Sequence, residues 1–318
     1  MMFFHFSKVV YFIILLPFLL SSCASLYFKP LPAPGEPFKI RDLGELPNWD
    51  LWHGFVFNGE KVGFVHLKIV PIPEAQQYRV LSEAHLRIRF MGMDKQIDMK
   101  SNDLVMSDLS LVSFHYEQKM DEKPLVLDGS IAKNTLRVRQ KSGDEEKTTE
   151  KVLSGVLYPS SLINLYPVLR GMAVGSSYRY DVYDPQTQSV VEVNQSVLSF
   201  EESTKLSLEP SFKVETHMHG HSVSSWINRK GETIFEMGMG GVLITYKEDE
   251  EQAKSFLAET RRWTAFPRWE CFIAGKGSAR PTRCCIPLWR GRQKLLELCD
   301  KHRVTFTWIK AHDAGKAP

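Results

Sequence analysis

The chain has 318 residues, 43% of them hydrophobic and 24% charged, and its 40 Lys+Arg against 37 Asp+Glu leave a formal net charge of +3. That small sum hides two unlike parts, because residues 261–318 hold thirteen basic and four acidic residues while residues 23–260 carry a balance of −7. No cysteine occurs from position 24 to 270, which excludes thiol-nucleophile chemistry from the body of the chain.

At the N-terminus, Lys8 precedes an apolar run from Val9 to Leu20, followed by small residues and Cys23, the layout of an export signal. The run is shorter than the ~20 residues a helix needs to cross a bilayer, so cleavage is expected. Leu20-Ser21-Ser22-Cys23 resembles the bacterial lipobox, which implies cutting between Ser22 and Cys23 and a lipid on the Cys23 thiol. Ala24 resembles the sorting signal of outer-membrane lipoproteins. The resemblance therefore implies a cell-envelope protein, lipid-anchored in the outer membrane and facing the periplasm, with the membrane as a partner through its N-terminal lipid. Residues 1–22 read as the signal peptide. Residues 23–48 read as a lipidated start and an extended tether, since the stretch up to Ile40 holds four prolines and no periodicity.

From residue 49 to about 260 the pattern has period two, the mark of strands with one buried face. Val65, Leu67 and Ile69 alternate with His66 and Lys68; Leu86, Ile88 and Phe90 alternate with His85, Arg87 and Arg89; Leu136 and Val138 follow the same rule. Turns are expected at Asn58-Gly59, Asp128-Gly129, Asp184-Pro185 and Arg229-Lys230-Gly231. The fold class is mainly β, an antiparallel β-sandwich or open barrel of ten or so strands with one or two short helices. One helix is expected in "PSSLINLYPVLRGM", capped by Ser160 or Ser161, interrupted at Pro167 and stopped at Gly171. A firmer one lies in "EDEEQAKSFLAET", acidic in its first turn. "DEEKTTEK" from Asp144 reads as a solvated loop.

Three stretches, "WHGFVFNGEKVGFVHLKI", "LYPSSLINLYPVLRGMAVGSSYRYDVYDPQTQSVVEV" and "HSVSSWINRKGETIFEMGMGGVLITYKEDEEQA", together resemble the periplasmic β modules that precede transglutaminase-like domains in bacteria. None of them carries a catalytic signature. Gly63, Gly171, Gly175 and Gly231 read as turn or bulge positions and Trp226 as a core or strand-face aromatic.

His217, His219 and His221 in "KVETHMHGHS" alternate and are the metal candidates of the body, since neutral imidazoles bind zinc. On one straight strand the outer pair would stand ~13 Å apart, too far for one ion unless the chain bends at Gly220, so a solvated polar face shared with Lys213 and Glu215 is preferred and no metal is expected. "MGMGG", residues 237–241, fits a bulge or hairpin better than a phosphate loop. No G-x-S-x-G, H-E-x-x-H, P-loop or paired C-x-x-C occurs.

After an irregular basic junction over 261–287, a helix from about Leu288 to Lys301 and the alternating "RVTFTWIKA" are expected. Residues 288–318 resemble the last third of a type 1 ribonuclease H, with Trp308-Ile309-Lys310-Ala311-His312 matching its closing pattern. The resemblance implies a helix-strand fragment in which His312 stands where that family's assisting histidine stands. Hydrolysis there uses two Mg ions clamped by four carboxylates, and this stretch has no counterpart to them, so the tail reads as a fragment joined by frame drift or fusion. The basic balance alone gives only salt-sensitive, unselective affinity for nucleic acid.

The sequence thus favours a lipid-anchored binding or scaffolding module without catalysis or cofactor, whose partner is a periplasmic protein or an apolar ligand. A carrier of apolar ligands and a ribonuclease H acting on RNA:DNA hybrids, which alone would need Mg, stand as alternatives.

Overall fold

The computed structural model describes residues 27–258 apart from positions 48, 91, 92, 121, 122 and 207. The signal segment, Ser22, Cys23 and the whole stretch from 259 to 318, with His312, lie outside the described residues. Among the described residues sixteen strands form one continuous sheet, more than the ten or so that the sequence suggests and not the two separate layers of a sandwich. Strand β1 (Lys29–Leu31) comes first. A long meander follows, made of β2 (Asp50–Phe57), β3 (Glu60–Ile72), β4 (Gln77–Phe90), β5 (Met93–Met106), β6 (Leu111–Met120), β7 (Lys123–Ala132), β8 (Thr135–Ser142) and β9 (Glu145–Val152). The second half opens with the short β10 (Leu157–Pro159), which pairs parallel with β11 (Ser177–Asp184), an exception to the antiparallel pairing expected; an antiparallel meander then runs from β11 through β12 (Ser189–Ser203), β13 (Leu208–Met218), β14 (His221–Asn228), β15 (Thr233–Gly238) and β16 (Leu243–Glu248).

The pairing of β16 with β2 joins the two meanders, so that β10 and β9, neighbours in the chain, become the opposite edges of the sheet. Laid flat, edges fourteen strand spacings apart would be separated by roughly 65 Å, at ~4.8 Å per spacing. Yet the linker from Val152 to Leu157 can reach only about 18 Å, at ~3.6 Å per residue. The sheet must therefore curl almost onto itself, an open barrel.

The alternation expected in β3, β4 and β8 places Ile69, Leu86, Ile88, Leu136 and Val138 in the main core. The helix α1 (Leu165–Arg170) fills the curl, burying Leu165, Val168 and Leu169. Pro167 does not interrupt it. It is the third helical residue, where no carbonyl of the helix awaits its missing N–H. Gly171, at φ 103°, ends the helix as expected. Ser160 and Ser161 do not cap it, because they lie in a preceding 3-10 turn over Ser160–Leu162.

Two patches on the opposite face are also covered. Helix α2 (Glu250–Ala258), the firmer helix of the sequence, starts at Asp249, whose carboxylate accepts from the Gln252 N–H at 2.7 Å. It lays Ala253 on Trp52 and Phe64. The segment before β2 covers the other patch: β1 pairs with β12, and Phe28 stacks on the buried indole of Trp226 at 4.1 Å. Ile40 is buried too, and Phe38 bridges to Met172. The tether reading therefore fails for this stretch, because its prolines separate apolar residues that dock on the domain one by one. The β domain reaches back at least to residue 27.

Two other expectations are corrected. Asp128-Gly129 is no turn but the middle of β7, and "DEEKTTEK" is no loop but most of the edge strand β9, exposed on both faces. Asn58-Gly59 does form its tight turn, with φ of 52° and 79°. Gly63 sits beside a bulge at Val62, where a Cβ would come 1.9 Å from the His85 carbonyl oxygen.

Candidate functional site

The inner face of β5 carries Met99, Ser101, Asp103 and Val105, two polar residues in an apolar row. Next to it, β6 turns Phe114 and Tyr116 inward. Opposite these strands run the 3-10 turn at Ser160–Leu162 and the end of β11 at Tyr183 and Asp184. Between them lies a cavity of about 110 Å³.

Asp103 forms the polar floor. Its side chain is 6% exposed and accepts one hydrogen bond, from the Ser161 hydroxyl to Oδ2 at 2.7 Å. Burial lifts its pKa to about 6, against the opposing pull of the Ser161 and Ser101 hydroxyls. The Ser101 hydroxyl, buried on the same wall, meets no partner at hydrogen-bonding geometry.

Aromatic walls surround that floor. Phe114 and Tyr183 stack at 4.6 Å between centroids. Tyr116 donates to Gln118 Oε1 at 2.9 Å. Burial, and after it the charge of Asp184, raise the phenol pKa of both Tyr116 and Tyr183. Asp184 is itself buried, and it is well supplied with donors: Thr187 Oγ1 at 2.7 Å, the Gln186 N–H at 3.0 Å and His219 Nε2 at 2.9 Å. The turn Asp184-Pro185 was legible, but not that its carboxylate would be held in the interior.

The three histidines proposed as metal candidates do not share a strand. His217 ends opposite Ser222, and His221 opens β14 opposite Met218. His219 and Gly220 make the two-residue turn between β13 and β14, with φ of 53° and 75°. The chain bends at the one place that could have brought the imidazoles together, but His219 is engaged by Asp184 and His217 is paired with Glu215 at 3.4 Å. Among the described residues no group of three His, Cys, Asp or Glu could hold a metal ion.

On the outer face, the polar sides of β2 to β8 form cross-strand pairs rather than a loose wet surface. His66 stacks on Trp52 at 3.7 Å and contacts Asp50 at 2.7 Å and Glu83 at 3.3 Å. His85 pairs with Asp98 at 2.7 Å. His115 pairs with Asp128 at 2.7 Å, and Asp128 with Arg139 at 2.9 Å. The hydrogen bonds to Asp128 and Glu117 raise the pKa of His115.

The sequence singles out neither Asp103 nor Ser101, and it offers Ser161 only as a helix cap. The signal that could have found them is two polar residues at the inward parity of a strand, between Met99 and Val105.

No protein-family model matches the chain, and no curated protein sequence matches it. Among solved structures, the chain is similar to a β-barrel-like protein of the domain of unknown function DUF1849 from Brucella abortus, at 12% identity and a TM-score of 0.47, over 63% of this chain and 94% of that one. It is also similar to a DUF1089 family protein from Pseudomonas aeruginosa, at 13% identity and a TM-score of 0.30, over 54% of this chain and 87% of that one.

Proposed function

We propose that the chain is a lipid-anchored protein of the bacterial cell envelope whose open β barrel acts as a non-catalytic binding module. The observation that carries the binding part is the Asp103 cavity, a concave space with aromatic walls and a few convergent polar groups. The anchor rests on the lipobox-like Leu20-Ser21-Ser22-Cys23 and on the sorting residue Ala24.

Size and polarity bear on the choice of ligand. At about 110 Å³ the cavity is below the ~300 Å³ at which ordinary small-molecule pockets begin, and its floor is a carboxylate. A small polar group suits it better than an acyl chain, so carriage of apolar ligands takes second place. Scaffolding would instead use the outer face, where the His66, His85 and His115 pairs line up across the strands.

Palmitate labelling of the wild type, lost together with membrane association in Cys23→Ala, is the expected result for the anchor. Native mass spectrometry of the Cys23→Ala protein, purified without detergent, should show small adducts and no bound lipid. Stoichiometric lipid would favour the carrier reading. Metal-dependent cleavage of an RNA:DNA hybrid that disappears in His312→Ala would overturn the non-catalytic one.

A further inference from the structure

We propose that the Asp103 cavity takes a small organic cation of the alkylammonium class. The inference rests on the reading of the cavity as a binding site and assigns its ligand chemistry.

The floor lacks a counter-charge. Asp103 is 6% exposed and has only neutral hydroxyls beside it, Ser161 at 2.7 Å and Ser101 on the same wall. Lys100 also borders the cavity but is exposed, at the outward parity of β5, and among the described residues no Lys, Arg or His lies in ion-pair contact with Asp103. A buried carboxylate in that state is costly to keep ionised, and a cation delivered by a ligand removes the cost. The rise of its pKa to about 6 reflects the same deficit.

The walls favour an organic cation over a bare metal ion. Phe114, Tyr116 and Tyr183 line the space, and aromatic faces attract desolvated ammonium groups through the ring quadrupole. Hard divalent cations want several oxygen ligands, most of them charged. Here Asp184, the other carboxylate on the wall, is already held by Thr187, the Gln186 N–H and His219. The partnerless Ser101 hydroxyl offers an acceptor for an ammonium N–H.

Volume sets the upper limit. The cavity of about 110 Å³ is smaller than the ~150 Å³ that admits benzene, which suits trimethylammonium or a short primary amine. Such a group occurs both on free amines and on zwitterionic lipid headgroups, so both sources enter the test.

The experiment is calorimetric titration of the Cys23→Ala protein at pH 7.5 with trimethylammonium chloride. Tert-butyl alcohol serves as the neutral isostere and potassium chloride as the salt control. Saturable binding of trimethylammonium alone, weakened about tenfold or more in Asp103→Asn, is the expected result. Should that variant fail to fold, Tyr183→Leu must weaken binding while Tyr183→Phe, which keeps the ring, preserves it. A second arm uses vesicles of phosphatidylethanolamine: Asp103-dependent vesicle binding assigns the source to a lipid headgroup, and binding confined to the free amine assigns it to a soluble one. Equal binding of tert-butyl alcohol, or indifference to both Asp103 and Tyr183, would overturn the cation class and leave the binding site standing. No saturable binding of any probe would overturn both.

Discussion

The ring of Phe114 fills the space beside Gly129, its partner in the β6–β7 register, so closely that a Cβ at Gly129 would stand 1.9 Å from the ring. The absent side chain is what lets Phe114 turn into the cavity wall beside Tyr183. Gly129→Ala should therefore displace the ring and cost about 1–3 kcal/mol by overpacking. Gly155→Ala, with nothing within 4 Å of the added atom, should stay within about 0.5 kcal/mol. Urea denaturation of the two variants beside the wild type checks both.

Asp103 gives a pH dependence whose sign is opposite to that of most carboxylates. Its pKa in the folded protein, about 6, lies above the ordinary 3.8, so between those values the folded state binds more protons than the unfolded chain. Stability then falls as pH rises through that window, by up to roughly 3 kcal/mol from this group. Asp103→Asn, which keeps an acceptor for Ser161, should be more stable than the wild type at pH 7. The difference should vanish near pH 4. Thermal unfolding of both proteins across pH 4 to 7.5 measures it, and a constant difference would contradict the assignment.

Lys61 and Glu248 form a contact of 2.6 Å between side chains only 2% and 1% exposed, beneath α2. The Lys61 ammonium also donates to the Gln252 carbonyl at 2.8 Å, which fastens the start of that helix to the sheet. Lys61→Met alone leaves a buried carboxylate without its cation and should cost about 3–5 kcal/mol. Adding Glu248→Leu should recover much of the loss, since two apolar side chains need no compensation. A double-mutant cycle by chemical denaturation reads the coupling.

Phe28 is 8% exposed and rests on Trp226, whose Nε1 donates to Glu201 at 2.9 Å. Phe28→Ala should lower stability by about 3 kcal/mol or more, the usual cost of emptying a buried aromatic site. A true tether would show no change, so equilibrium unfolding followed by circular dichroism distinguishes the two directly.

What could be read from the sequence was what local chemistry decides. Asn58-Gly59 makes its turn because both positions need positive φ, and Leu136 and Val138 are buried because alternation on a half-covered strand leaves them no other face. Asp128-Gly129 has the same turn composition and became mid-strand because Phe114 lies across from it, a neighbour that sequence order does not reveal. The stretch "DEEKTTEK" carries no alternation because its strand has no buried face: backbone bonds to β8 alone hold it, and its charges guard the free edge against further pairing. Asp103 was missed for a related reason. Its parity on β5 was readable, but whether the inner face would hold a packed core or a cavity depended on how the sheet curls.

The seam between β16 and β2 also dictates an order of events during folding. Gly54 and Tyr246 face each other across it, yet they lie roughly 190 residues apart in the chain, so this pairing must wait for almost the whole domain, whereas each hairpin can form from neighbours. Until then the outer-face residues Val56 and Ile244, both buried in the finished protein, remain on two unpaired edges. A chain supplied residue by residue would thus keep both edge strands unpaired, and open to wrong partners, until its last segment arrived.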